Sequence, residues 1–197
     1  PVRGAAFAED FPGGTMADAH NLYALFEAEA TYAGLRAAAP GERPLVVSRA
    51  GYAGIQRVAG LWTGDTPSTW PALRQTLPML LNLGASGVPY VGSDVGGYSG
   101  NATPELYARW LQLGVSSPFF RAHVTNGVPG QEPWQFGIEV TDIARFWLAE
   151  RTRLVPHFEA LALTASRTGA PPLRPLAWAY PGEAALRGVD DSALLGE

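Results

Sequence analysis

Four short apolar runs of the sequence each end at or beside a side chain that could take part in catalysis. The runs PLVVSRAG, VAGLWTGD, GVPYVGSD and SPFFRAH carry Arg49, Asp65, Asp94 and His123 respectively. Two carboxylates, a guanidinium and an imidazole suit acid/base chemistry on a polyhydroxylated substrate. Nearby aromatic side chains could form the apolar walls of a pocket; they are Tyr52, Trp62, Trp70, Tyr98 and Phe120.

Each of these four residues also has a simpler structural explanation. Asp65 could cap a helix or form a turn, and Asp94 could shape the glycine-rich turn of GSDVGGYSG. Arg49 could pair with a carboxylate for structural reasons, and His123 could be a hydrogen-bonded core residue. Four consecutive strand ends with such groups favour a shared site over four separate structural accidents.

Helical segments separate the apolar runs. Apolar spacing predicts a helix over residues 18–39 and another over residues 70–85. A third helix has Thr103 as its predicted N-cap. A long helix is predicted after Thr141, kinked or broken at Pro156.

The alternation of strand-like and helical segments predicts βα units around a parallel sheet. Each run is apolar throughout, which predicts strands buried on both faces. The carboxyl ends of such strands open on one face, where functional groups collect. The Pro-rich stretch after residue 169 predicts the start of a β-type region.

Composition narrows the classes of function. The 197 residues include 14 basic and 18 acidic side chains without a basic stripe, which disfavours nucleic acid as a partner. No apolar run is long enough to span a bilayer, and PVRGAAFAED lacks the layout of a signal peptide, so a cytoplasmic location is favoured. The chain has no cysteine and three widely spaced histidines, so neither a metal site nor a cofactor is expected.

The motifs of these segments resemble glycoside hydrolase family 31, the α-glucosidase and α-xylosidase family. The resemblance extends along nearly the whole chain, and its most specific part is the central block from LWTGDTPSTW to SPFFRAH. Further matching segments are AHNLYALFEAEATYAGL, RPLVVSRAGYAGIQR, EPWQFG, RPLAWAYP and DDSALLGE.

The resemblance implies the second half of a (β/α)8 barrel, comprising strands five to eight, followed by the start of a β-sandwich. The implied domains are residues 1–168, a partial catalytic barrel, and residues 169–197, the start of the sandwich. The implied substrate is a carbohydrate, either an α-glucoside or an α-xyloside.

The family's residue roles map onto the matching motifs. Family members are retaining enzymes with two carboxylates, and the Asp of the WTGD motif, Asp65 here, corresponds to the general acid/base. Arg49, in SRAG, corresponds to a residue that contacts a sugar hydroxyl and the catalytic carboxylates. The resemblance further implies that Asp94 and His123 bind sugar hydroxyl groups. It also implies that Trp62 and Tyr98 line the sugar pocket and that Arg121 is a charged neighbour that helps to hold the site.

One family motif is absent from the sequence. The nucleophile is an Asp in WxDMNEP, which does not occur here, and the opening PVRGAAFAEDFPGGTM resembles the segment that follows it. Glu9 and Asp10 do not resemble the nucleophile's surroundings. The sequence therefore predicts a fragment that is inactive alone. It is either a truncated or frame-interrupted gene product, or one piece of a split enzyme whose separate chain carries the N-terminal half of the barrel.

The sequence leaves three possible functions open. The same residues could hydrolyse an α-glycosidic bond or transfer the glycosyl group to another sugar. The absent nucleophile also fits a catalytically inactive remnant that binds sugar.

Overall fold

The computed structural model describes residues 15–196, which group into two units, one ending at Leu61 and the other beginning at Trp62. Glu9 and Asp10 lie outside the described residues. Within residues 15–196, no helix has both the length and the apolar character needed to cross a bilayer.

The first unit consists of a long helix and two short parallel strands. Helix α1 (Met16–Ala38) matches the helix predicted over residues 18–39. Strand β1 (Val47–Ser48) pairs in parallel with the start of β2 (Gly60–Trp62), and a 3-10 turn (Ile55–Arg57) lies between them in sequence.

The helices of the second unit follow their capping signals. Helices α2 (Trp70–Ala85) and α3 (Pro104–Val115) begin after Thr69 and Thr103, whose hydroxyls each accept a hydrogen bond from the backbone N–H three residues later. The predicted N-cap at Thr103 is therefore confirmed. Helix α4 (Ile138–Thr168) begins before the predicted position and continues through Pro156, so a break there is wrong, whereas the alternative of a kink stays a prediction. A proline inside a helix lacks the N–H donor and its ring displaces the carbonyl four residues earlier, and the exposed face at Pro156 leaves space for this displacement.

The strands that lead to the candidate site are parallel. Strand β3 (Val91–Val95) pairs with β4 (Phe119–Ala122), with Asp94 opposite Arg121 in the register. All five residues of β3 are buried, as predicted for a strand covered on both faces. The same prediction is wrong for β1, with one exposed and one half-buried residue, and for β4, whose first two residues are half-buried and whose last two are exposed.

The core of the second unit packs around Trp110 of α3. This side chain is fully buried, and its indole N–H donates to the hydroxyl of Ser93 at 3.3 Å, which ties α3 to β3. Helix α4 packs on α3. The buried members of this cluster are Ala72, Val95, Leu106, Tyr107, Trp110, Leu111, Val115, Val140 and Ala144.

The segment after α4 contains both strand and helix. Strands β5 (Leu173–Pro175) and β6 (Ala193–Leu195) form an antiparallel pair, and a short helix α5 (Leu176–Ala179) follows β5. Strand β5 packs against α2. The predicted β-type character is thus present as one short two-stranded sheet.

Candidate active site

The turn after β2 places Asp65 in solvent. The N–H of Thr63 donates to the C=O of Gly92 at 3.0 Å, which ties the beginning of the turn to β3. Gly64 has a φ of 79°, a left-handed conformation that glycine adopts without the penalty of a side chain. The N–H of Thr66 donates back to the C=O of Gly64 at 2.9 Å. The turn is therefore closed on itself, with an exposed carboxylate at Asp65.

Asp94 and Arg121 form an ion pair between neighbouring strands. The Nε of Arg121 lies 2.7 Å from Oδ1 of Asp94, whose side chain is 0% exposed while that of Arg121 is 40% exposed. The guanidinium of Arg121 also lies over the ring of Trp62, at 4.7 Å from its centroid. Arg121 thus connects the end of β2 with the end of β3.

The charges around Asp94 act in opposite directions on its pKa. Burial raises the pKa of the Asp94 carboxyl above its ordinary value, because the charged form loses its hydration. The hydrogen bond and charge of Arg121, and the charge of His123, oppose this rise without cancelling it, whereas the negative charge of Asp65 adds to it. The four side chains therefore belong to one electrostatic cluster.

Tyr98 and His123 complete this cluster. Their ring centroids are 4.9 Å apart with the planes tilted by 30°. The backbone of Tyr98 is held on both sides, since its N–H donates to the C=O of Thr66 at 2.7 Å and its C=O accepts from the N–H of Thr125 at 2.9 Å. The loops after β2, β3 and β4 are thereby joined at Tyr98.

Buried polar atoms without a hydrogen-bond partner are concentrated in the same loops. Within residues 15–196 they are Trp62 Nε1, Thr63 Oγ1, Thr66 Oγ1, Asp94 Oδ2 and Gln131 Oε1. Buried polar groups are paired in most proteins, so each exception calls for an explanation. All five lie at or after the carboxyl ends of β2, β3 and β4, which is where a polar ligand would bind in a parallel α/β fold.

The structure brings most of the predicted site residues together. Six of them lie in the second unit, at or after the ends of β2, β3 and β4: Trp62, Asp65, Asp94, Tyr98, Arg121 and His123. Arg49 lies in the first unit, exposed and directly after β1. Sequence reasoning missed Thr63, Thr66 and Gln131, because nothing in their residue type distinguishes them from other loop positions. In the described part of the chain, no cluster of His, Asp and Glu could hold a metal ion.

Comparison with known proteins identifies the family. Residues 4–161 match the model of the glycosyl hydrolases family 31 TIM-barrel domain. The chain is 42% identical over 182 residues to Alpha-glucosidase 2 of Bacillus thermoamyloliquefaciens, and 41% identical over 191 residues to Neutral alpha-glucosidase AB of Homo sapiens. These alignments cover 92% and 96% of this chain, respectively.

A solved structure is also similar to most of this chain. The GH31 dextranase FjDex31A of Flavobacterium johnsoniae, complexed with glucose, superposes with a TM-score of 0.89 at 31% identity, covering 93% of this chain and 24% of the dextranase. The chain likewise spans only 23% and 20% of the lengths of the two curated relatives. Their shared sequence and the α/β arrangement of parallel strands place this chain in glycoside hydrolase family 31, within its TIM-barrel domain.

Proposed function

We propose that this chain supplies the general acid/base and sugar-binding side chains for retaining hydrolysis of α-glycosidic bonds. The observation that carries the proposal is the state of Asp94. One of its carboxylate oxygens is paired with Arg121 and the other is buried without a partner, and the charges of Asp65 and His123 act on the same carboxyl group. Such a carboxylate can accept a hydrogen bond from a sugar hydroxyl, which would remove the cost of an unpaired buried oxygen.

Asp65 is proposed as the general acid/base, and its carboxyl group is exposed on the turn after β2. In that role its carboxyl group protonates the leaving glycosidic oxygen and afterwards accepts a proton from the attacking water. An exposed carboxyl group on a closed turn can reach both the leaving group and the water. Retention requires a second carboxylate about 5–5.5 Å away as the nucleophile.

The remaining predicted residues are proposed to bind the sugar. Asp94 and His123 would contact hydroxyl groups, with Trp62 and Tyr98 forming the walls. Arg121 would hold Asp94 and Trp62 in place, as its ion pair and its position over the indole ring suggest. Arg49 is proposed as a further ligand of the sugar and of the catalytic carboxylates.

The nucleophile is proposed to come from the first half of the barrel, either as another part of a longer chain or as a separate chain. The WxDMNEP motif does not occur among the 197 residues. In this proposal β1 to β4 correspond to strands five to eight of the barrel, residues 1–168 form the partial barrel, and residues 169–197 start a β-sandwich. Because two relatives are named as alpha-glucosidases, an α-glucoside is the preferred substrate, with an α-xyloside as the alternative.

A chimera tests the proposal. In the chimera, this chain replaces the aligned 182 residues of Alpha-glucosidase 2 of Bacillus thermoamyloliquefaciens. Hydrolysis of an aryl α-glucoside and of an aryl α-xyloside is then measured. We expect Asp65→Asn to lower kcat by about 10²- to 10⁴-fold, the range for loss of a general acid/base. Asp142→Asn, an exposed carboxylate on α4, is the control and should keep full activity. Unchanged turnover with Asp65→Asn would show that the role of Asp65 is wrong.

The unpaired buried oxygen of Asp94 also suits a second function, sugar binding without turnover. Titration of the same chimera with glucose separates the two functions. Binding of glucose that is lost with Asp94→Asn, together with no hydrolysis of either aryl glycoside, would support the binding function and exclude the enzymatic one.

A further inference from the structure

Gln131 is a buried amide that none of the proposed roles uses. It lies in the loop after β4 and is 4% exposed. Its Nε2 donates to the backbone C=O of Gly97 at 2.5 Å, across 34 positions of sequence. A buried side-chain amide that binds a backbone carbonyl in another loop fixes the distance between the two loops, because breaking the bond leaves both groups unpaired.

The turn that Gln131 contacts is formed by two glycines that have no room for a side chain. Gly96 and Gly97 have φ values of 87° and 85°. A Cβ on Gly96 would overlap the Oε1 of Gln131, and a Cβ on Gly97 would lie 2.8 Å from the Cα of Ser68. The glycine pair is thus enclosed by the amide of Gln131 and by the backbone of the loop after β2.

The same turn joins two residues of the proposed sugar site. It follows Asp94, whose C=O accepts a hydrogen bond from the N–H of Gly97 at 3.1 Å, and it precedes Tyr98. The ring of Tyr98 lies 4.9 Å from that of His123. A change in the backbone at Gly96 or Gly97 would therefore move Tyr98 relative to both Asp94 and His123.

We propose that Gln131 is a positioning residue of the sugar site, which fixes the turn at Gly96 and Gly97 and thereby places Tyr98 against His123. Gln131 acts through the carbonyl of Gly97. The consequence for sugar binding rests on the proposed function, whereas the effect on the turn can be measured without any sugar.

Substitution of Gln131 by methionine tests the proposal, because it nearly preserves the volume of the side chain. The variant Gln131→Met removes the donor while retaining an unbranched side chain of similar length. We expect the amides of Tyr98 and Ser99 to exchange with deuterium roughly fivefold to tenfold faster in the full chain, since the loops lose one buried hydrogen bond. Amides of α3 should exchange as in the unchanged chain, which also shows that the variant is folded.

The matched control is Gln135→Met, an exposed amide in the same loop region, which should leave exchange at Tyr98 and Ser99 unchanged. Equal exchange at these two amides in Gln131→Met and the unchanged chain would overturn the proposal. A second measurement, glucose affinity by titration of the chimera, should show weaker binding with Gln131→Met than with Gln135→Met. Equal affinity in these two variants would also overturn the sugar-site role.

The two measurements separate this inference from the proposed function. Faster exchange in Gln131→Met, with no glucose binding by the unchanged chimera, would contradict the proposed function and leave the action of Gln131 on the turn intact. Glucose binding by the unchanged chimera, with no change of exchange in Gln131→Met, would contradict the inference alone. If Gln131→Met unfolds, Gln131→Glu replaces it, since a carboxylate of the same shape cannot donate to Gly97.

Discussion

Asp94 and Asp65 belong to the same electrostatic cluster but lie in opposite surroundings. Asp94 is within a strand, fully buried and paired with Arg121 at 2.7 Å. Asp65 is on a turn after a strand, exposed to solvent and adjacent to a glycine with positive φ. Strand β3 and the ion pair with Arg121 hold the first side chain, whereas the second lies on the turn that follows β2.

This difference suggests that the two carboxylates have different chemical roles. A buried and paired carboxylate has a defined position and can orient a hydroxyl group. An exposed carboxylate can exchange its proton with a leaving group and with water. The contrast between fixed Asp94 and accessible Asp65 therefore agrees with the proposed roles, and three further experiments test the contrast itself.

Removal of Arg121 should have the largest effect on stability. The variant Arg121→Met leaves the carboxylate of Asp94 buried without its partner, and it also removes the cation over Trp62. We expect a loss of about 2 kcal/mol in the free energy of unfolding, reduced from the value for a fully buried pair because Arg121 is partly exposed. Urea denaturation measures this loss.

Arg145→Met is the matched control for this experiment. Its ion pair with Asp142 has the same length, 2.7 Å, but both side chains are exposed. Exposed pairs contribute little, so the control should change the free energy of unfolding by less than about 1 kcal/mol. Similar losses in the two variants would contradict the importance of burial at Asp94.

The pH dependence of stability should report the raised pKa of Asp94. Its carboxyl group has an ordinary value of 3.8, and burial raises the pKa in the folded chain. Between these two values the folded chain binds more protons than the unfolded chain, so this group's contribution to stability falls as pH rises and levels off above the folded pKa. Asp94→Asn removes this contribution, with a slope of at most about 1.4 kcal/mol per pH unit.

The measurement is urea denaturation of the unchanged chain and Asp94→Asn over a series of pH values. The variant should gain stability relative to the unchanged chain as pH rises through the window above 3.8. Asp142→Asn, which changes an exposed carboxyl group, provides the control. A relative stability of Asp94→Asn that falls with rising pH would contradict the direction of the shift.

The sequence predicted the helices and the order of strands more completely than the details of the site. Helix α3 is an example, because its N-cap Thr103 acts through local hydrogen bonds that depend on adjacent residues only. The second half of the apolar run at β4 was expected to be buried, yet Arg121 and Ala122 are exposed. The burial of a strand depends on what packs against it, which the sequence of the strand alone does not specify.

The positions of individual site residues depend on contacts between distant parts of the chain. The pairing of Asp94 with Arg121 follows from the register of β3 and β4, which the sequence pattern does not specify. Gln131 reaches Gly97 only because the loop after β4 folds over the turn after β3. Neither contact has a local signal, so both require the folded chain.

The smallest expected effect concerns the action of Asp65 on Asp94. The negative charge of Asp65 is one cause of the raised pKa of Asp94, and it is the weakest of the causes that act there. Asp65→Asn should therefore lower the pKa of Asp94 in the folded chain, because one repelling charge is removed. Carboxyl carbon NMR measures the titration midpoint of Asp94, with Asp142→Asn as the control that should leave it in place. A rise of that midpoint would contradict the electrostatic cluster, since it would mean that the two carboxylates do not repel each other.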